Sequence, residues 1–128
     1  MYFKGQPRWR NFGRFWLPVY GYAAVIFGLS ALPATHRVPP IFFADKLLHL
    51  LEYAILGYLL GRAAGHSENP GLKAHFRLFA VLVALLYGIS DEFHQYFVPG
   101  RNVDVLDALA DGLGALLGQW RVQRINNA

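Results

Sequence analysis

The side chains best suited to chemistry are concentrated in one stretch of this chain. Five of the eight acidic residues lie between positions 91 and 111, in the strings DEFHQ (91–95), VPGR (98–101) and the triplet Asp104, Asp107 and Asp111. The flanks at 81–89 and 113–117 are almost wholly apolar. Charged groups are costly to bury among apolar residues, so this stretch indicates a site for ligand binding, metal binding or proton transfer.

The elements that must position these residues follow from composition. The 128 residues are 55% hydrophobic and 16% charged, whereas soluble globular domains average about 25% charged residues. Four apolar blocks separated by Pro, Gly and charge predict an all-α membrane domain, a four-helix bundle that occupies the whole of residues 1–128. The predicted spans are residues 15–32, 46–64, 76–97 and 105–120. With no cysteine, a disulfide framework and a thiolate metal site are excluded.

Basic residues predict the orientation of the bundle. Nine of the twelve Lys and Arg residues fall in the N-terminal arm, the second loop and the C-terminal tail. The positive-inside rule therefore places both termini in the cytoplasm, with a chain that crosses the membrane several times. All acidic residues except Glu68 fall on the opposite, outer side. The spread of basic charge over three short flanks disfavours nucleic-acid binding.

Helical spacing turns three polar stripes toward one another. Residues share a face as follows: Asp45, His49 and Glu52 in the second span, Asp91, His94 and Gln95 in the third, and Asp104, Asp107 and Asp111 in the fourth. At 1.5 Å per residue, Glu52, Asp91 and Asp111 lie roughly 10 Å below the outer helix ends. We therefore expect a polar pocket that opens to the outer face or outer leaflet.

The inner halves of two spans carry small residues at helical spacing. Gly57 and Gly61 in the second span, and Gly114 and Gly118 in the fourth, form G-x-x-x-G patterns. Such patterns allow two helix backbones to approach closely in lipid. We expect a tight contact here and more widely separated helices in the outer half.

Several of these strings carry a family resemblance. The chain resembles the VanZ-like family of small bacterial membrane proteins in LSALP (29–33), DKLLHLLEYA (45–54), DEFHQ with PGR (91–101), and residues 107–118. The family often has Asn where this chain has Asp111. The resemblance implies four membrane helices, and the family's named member is associated with resistance to the glycopeptide teicoplanin.

One hypothesis for the acidic pocket is recognition of a lipid or of a lipid-linked envelope precursor. Lys46 and Arg101 at the rim would hold a phosphate, while carboxylates and Gln95 accept hydrogen bonds from sugar or amide groups. The predicted ligand-binding residues are Asp45, Lys46, His49, Gln95, Arg101, Asp107 and Asp111. The expected partners are membrane lipids or such a precursor, and self-association of the chain is an open alternative.

A second hypothesis is an enzyme that uses a divalent metal to act on a lipid phosphate. The predicted metal ligands are His49, Glu52, Asp91 and Asp107, and the predicted catalytic residues are Glu52, Asp91 and Glu92. Two further alternatives remain, a purely structural role in which the charges fix helix register, and a pathway for protons or ions.

Overall fold

The computed structural model describes residues 8–32, 42–100 and 103–127, with side chains described for residues 9–32, 46–100 and 103–122. These parts of the chain are helical and contain no β-strand, which confirms the all-α prediction. The elements are α1 (Arg8–Asn11), a π-helical turn (Phe12–Trp16), α2 (Leu17–Ser30), α3 (Phe42–Gly65), α4 (Pro70–Ala74), α5 (Phe76–Gln95) and α6 (Val105–Asn127).

The short helix α4 differs from the polar loop that the sequence predicts there. The side-chain Oδ1 of Asn69 accepts hydrogen bonds from the backbone N–H groups of Gly71 and Leu72, at 3.0 and 3.1 Å. Pro70 follows at the first helical position, where its lack of an N–H costs nothing. Asn-Pro-Gly therefore begins a helix here instead of making a simple turn.

The turn before α6 agrees with the sequence. Gly100 has a φ of 77°, in the left-handed region that favours glycine. The chain reverses there between α5 and α6, as Pro99-Gly100 predicts.

Contacts between helices give an alternating up-and-down arrangement. Gly57 and Gly61 of α3 lie against Ala115 and Gln119 of α6, so these two helices run in the same direction. Tyr87 of α5 donates a hydrogen bond to the backbone of α2, and contacts further along show that α5 runs parallel to α2. α3 and α6 make the most extensive contact, α5 packs against both, and α2 packs more lightly on α3 and α5.

The contact between α3 and α6 is made by the two glycine patterns. A Cβ added to Gly57 would lie 2.6 Å from the Cα of Ala115, and one added to Gly118 would lie 2.9 Å from the backbone nitrogen of Tyr58. A Cβ at Gly114 would overlap the backbone carbonyl of Leu50. The backbones therefore approach as closely as the G-x-x-x-G patterns predict.

The outer surface of the helices is apolar. Large apolar side chains are exposed along α5 at Leu78, Leu82, Leu86, Ile89 and Phe93, and along α6 at Leu106, Leu109, Leu113, Leu116 and Leu117. Two helices are long and apolar enough to cross a membrane, Trp9–Ser30 and Lys46–Gly65, each with a mean hydropathy of 1.2. Their length and composition are weak evidence of a membrane protein, since the core helix of a soluble protein passes the same test.

Candidate functional site

Polar side chains are buried together at the end of the bundle where α3 and α6 begin and α5 ends. Each of them is between 0 and 5% exposed: His49, Glu52, Asp91, Glu92, Gln95, Asp107 and Asp111. We call these seven residues the polar cluster. Within the described part of the chain these side chains lie inside the bundle, and an opening to the outer face stays a prediction.

Helical spacing explains how three helices contribute to the cluster. On α3, Lys46, His49 and Tyr53 follow one another at intervals of three and four residues and so share a face. On α6, Asp107 and Asp111 share a face for the same reason. On α5 the neighbouring side chains of Asp91 and Glu92 point in directions about 100° apart, and both are buried. Both can be buried because α5 packs against α3 and α6.

The outer edge of the cluster is formed by an ion pair. The Nζ of Lys46 donates hydrogen bonds to Asp104 Oδ2 at 2.7 Å and to Asp107 Oδ1 at 2.5 Å. The exposed fraction of the side chain falls from 34% at Asp104 to 20% at Lys46 and 4% at Asp107. The lysine thus connects the solvent-accessible rim to the buried acids.

Asp104 also stabilises the beginning of α6. Its Oδ1 accepts a hydrogen bond from the backbone N–H of Leu106 at 2.9 Å, as an N-cap residue does. The hydrogen bond from Lys46, assisted by this backbone contact, holds the pKa of the Asp104 carboxyl below its usual value. Asp104 therefore caps α6 and also forms an ion pair with α3.

A second pair lies deeper in the bundle. His49 Nδ1 and Asp111 Oδ1 are 2.8 Å apart, and both side chains are fully buried. His49 Nε2 lies 4.0 Å from Asp107 Oδ2. The hydrogen bond between the two side chains orients the His49 ring.

Glu92 of α5 completes a compact group with this pair. One potential ligand atom from each of His49, Glu92 and Asp111 lies within 4.8 Å of the other two. Glu92 Oε2 also accepts a hydrogen bond of 3.3 Å from the backbone N–H of Asp104. We call His49, Glu92 and Asp111 the triad; its members come from three different helices.

Several buried polar atoms make no hydrogen bond to any residue that the structure describes. They are Tyr53 Oη, Asp91 Oδ2, Glu92 Oε1 and Asp111 Oδ2. A buried polar group left in this state costs about 1–3 kcal/mol. The cluster is therefore chemically incomplete within the described part of the chain, and it can accept further contacts from a bound ion or polar group.

α2 covers one side of the cluster. Gln95 Nε2 donates a hydrogen bond to Ser30 Oγ at 3.1 Å, and the ring of Phe27 stacks on His94 with centroids 4.4 Å apart. Both contacts join the end of α2 to the end of α5. They close the side of the cluster that faces α2, which packs only lightly on α3 and α5.

A family model matches the chain that carries this cluster. The model is described as VanZ/LLP1 and matches residues 3–125, nearly the whole chain. The chain belongs to this family. The resemblance carried by the sequence motifs is therefore confirmed. No curated protein and no solved structure matches the chain.

The site of this VanZ/LLP1 protein groups the expected residues differently from the sequence hypotheses. Of the predicted metal ligands His49, Glu52, Asp91 and Asp107, the compact triad contains His49 alone. Glu92, predicted as catalytic, and Asp111, predicted as ligand-binding, take the other two positions. Glu52 and Asp91 are buried nearby, as expected of residues in the site.

The remaining predicted residues divide into two groups. Lys46, Gln95 and Asp107 join the cluster through the contacts given above. The side chain of Asp45 and the whole of Arg101 lie outside the described residues. Their assignment to ligand binding remains a prediction.

Two contributors were not predicted from the sequence. Tyr53 is fully buried with its ring nearly parallel to that of His49, at a centroid distance of 6.5 Å. Gly88 makes room for Asp111, because a Cβ there would lie 2.7 Å from Asp111 Oδ2. The signal for both was their spacing: Tyr53 is four residues from His49, and Gly88 is three from Asp91.

Proposed function

We propose that this VanZ/LLP1 protein is a four-span protein of the bacterial inner membrane with both termini in the cytoplasm. Support comes from the inverted distribution of side chains, with apolar residues exposed along α5 and α6 and charged residues buried between helices. Large exposed apolar surfaces are typical of contact with lipid. α5 and α6 contain acidic residues within their length. Because these residues are buried in the bundle, the two helices remain compatible with a position in the membrane.

We further propose that the polar cluster recognises the polar head of a lipid-linked component of the cell envelope. The observation that carries this proposal is the set of buried donor and acceptor atoms that make no hydrogen bond to a described residue, among them Tyr53 Oη and Asp91 Oδ2. Sugar hydroxyl and amide groups pair with carboxylates and phenols through hydrogen bonds of this kind. A head group that supplies those bonds would remove the cost of leaving the atoms unpaired.

Lys46 has the position required of a phosphate-binding residue. It lies at the partly exposed edge of the cluster, on the proposed outer side, where a lipid phosphate would be found. Its pairing with Asp104 and Asp107 holds the ammonium group in place before a ligand arrives. The light packing of α2 makes that helix the natural side for a head group to enter.

In the cell, such binding would reduce the exposure of a lipid-linked wall precursor. Glycopeptides act on precursors of this class, so the proposed consequence is lower susceptibility to a glycopeptide such as teicoplanin. This consequence rests on the family relationship and on the proposed ligand class.

The test is native mass spectrometry of the purified protein with its co-extracted lipid. We expect a retained lipid with a polar or phosphorylated head group, and several-fold weaker retention in Tyr53→Phe, which removes only the buried hydroxyl. Tyr58→Phe, five residues further along α3 beside the glycine contact, is the matched control and should retain the lipid as wild type does. A wild-type protein that retains no such lipid, or equal retention in both variants, would contradict the proposal.

The second candidate is a hydrolase or transferase that acts on a lipid phosphate. The observation that favours it is the triad, which places an imidazole beside two carboxylates. Release of inorganic phosphate from a short-chain prenyl phosphate would distinguish the two functions. An enzyme should lose turnover in Glu92→Gln while still binding the lipid, and a binding protein should release no phosphate at all.

A further inference from the structure

Among the residues that the structure describes, negative charge exceeds positive charge at the polar cluster. Five buried carboxyl groups lie among the described residues: Glu52, Asp91, Glu92, Asp107 and Asp111. Lys46 is engaged at the edge by Asp104 and Asp107. Burying unbalanced carboxylates in a low-dielectric interior is strongly unfavourable, so an additional positive charge stabilises such a group.

The triad offers a specific place for that charge. Asp111 Oδ2 and Glu92 Oε1 are buried and make no hydrogen bond within the described part of the chain. Outside the triad, the buried hydroxyl of Tyr53 is in the same state, and it is close enough for the charges of Asp111 and Asp91 to act on it. Repulsion between carboxylates does not explain why the neutral hydroxyl of Tyr53 makes no hydrogen bond to a described residue. Its state therefore points to a ligand at this position.

We propose that His49, Glu92 and Asp111 bind a divalent metal ion between α3, α5 and α6. Their ligand atoms lie within 4.8 Å of one another, and an ion that makes bonds of about 2.0–2.3 Å bridges atoms at nearly this separation. The three ligands come from three helices, so the ion would connect the parts of the bundle that form the site.

The geometry of the His49–Asp111 pair favours His49 as a ligand. His49 Nδ1 lies 2.8 Å from Asp111 Oδ1, near the separation of two adjacent ligands of an ion that makes bonds of about 2.1 Å. Metal-binding histidines commonly have their other ring nitrogen oriented by a carboxylate. Asp107 Oδ2, 4.0 Å from Nε2, is near enough to contribute an outer contact.

The ligand types indicate which ions suit the site. One imidazole nitrogen with two carboxylate oxygens matches Mn²⁺ or Zn²⁺ better than Ca²⁺, which takes six to eight oxygen ligands. An ion at the triad would be accessible from the edge formed by Lys46. This inference does not depend on the proposed lipid ligand.

The experiment is a titration of the purified full-length chain with MnCl₂ after removal of metals with EDTA. Electron paramagnetic resonance measures free Mn²⁺ and so gives the stoichiometry and affinity. We expect one Mn²⁺ per chain, with affinity weakened by about tenfold or more in Glu92→Gln and Asp111→Asn. Glu68→Gln removes the same charge from the exposed segment before α4, away from the cluster, and is the matched control, with stoichiometry and affinity unchanged.

A direct measurement on the wild type guards against variants that fail to fold. Electron spin-echo modulation of bound Mn²⁺ should show nitrogen coupling from the imidazole of His49. Circular dichroism establishes that each EDTA-treated protein remains helical. A folded wild type that binds neither Mn²⁺ nor Zn²⁺, bound Mn²⁺ without nitrogen coupling, or equal affinity in the triad variants and in Glu68→Gln would overturn the proposal.

The two proposals fail separately. Loss of metal binding in Glu92→Gln with the lipid still retained would leave lipid recognition standing. A stoichiometric metal site in a protein that retains no lipid would leave the metal site standing and remove the proposed ligand.

Discussion

A methyl group added at Gly88 tests how closely Asp111 packs against α5. A Cβ there would lie 2.7 Å from Asp111 Oδ2 and 3.0 Å from Asp111 Cβ. Ordinary contacts begin near 3.4 Å, so the carboxylate must retreat by roughly 0.7 Å. The His49–Asp111 hydrogen bond is 2.8 Å long, and a displacement of this size is sufficient to break it.

The magnitude for Gly88→Ala follows from two opposing terms. Loss of a hydrogen bond to a charged group costs about 1.5–3 kcal/mol. Alanine is better than glycine in a helix interior by about 1 kcal/mol. We therefore expect Gly88→Ala to lower the free energy of unfolding by about 0.5–2 kcal/mol. Gly28→Ala in α2, where no atom lies within 4 Å of the added Cβ, should raise it by up to ~1 kcal/mol.

Unfolding by SDS in mixed micelles, followed by circular dichroism, measures both variants. A Gly88→Ala protein as stable as Gly28→Ala would refute the reasoning. A double-mutant cycle identifies the cause: in an Asp111→Ala background the 2.7 Å contact with the carboxylate is absent and only the 3.0 Å contact with Cβ remains, so adding Gly88→Ala should cost less than it does in wild type. If the full cost persists there, it does not arise from the Asp111 carboxylate.

Three further predictions use the same unfolding assay. Gly118→Ala should destabilise the protein by about 1–3 kcal/mol relative to wild type, because its Cβ would overlap the carbonyl of Ala54; a neutral or stabilising result would mean that α3 and α6 separate readily. The hydrogen bond from Lys46 lowers the pKa of the Asp104 carboxyl in the folded state. Asp104→Asn should therefore be less stable than wild type at pH 7, with the difference lost below about pH 4. A difference that does not change with pH would contradict this. Burial lowers the pKa of His66 from its usual 6.5, so wild type should lose stability between pH 7 and 5 relative to His66→Gln, and parallel pH profiles would contradict that assignment.

The sequence predicted the features that depend on spacing within one helix. Gly57 with Gly61, and Gly114 with Gly118, are separated by one turn, so each pair forms a smooth strip wherever its helix packs. The polar stripe that includes His49 was also evident from spacing alone. These features needed no knowledge of how the helices are rotated against one another.

The grouping of side chains within the site could not be predicted in the same way. Asp91 and Glu92 are neighbours on α5, about 100° apart around the helix, and the sequence does not determine which of them approaches His49. The rotation of α5 against α3 and α6 decides that question in favour of Glu92. Gly88 contributes to this choice, because its missing side chain allows Asp111 to lie directly against α5.

The packing of the helices also bears on how a ligand would reach the site. The glycine contact holds α3 and α6 together, and those two helices carry His49 and Asp111, so the distance between these residues is fixed by the tightest part of the bundle. α2 is held over the cluster mainly by Ser30 and Phe27, through one neutral hydrogen bond and one ring contact. Contacts of that kind are weaker than the close backbone packing between α3 and α6. We therefore expect ligand exchange to move α2 while the triad keeps its geometry.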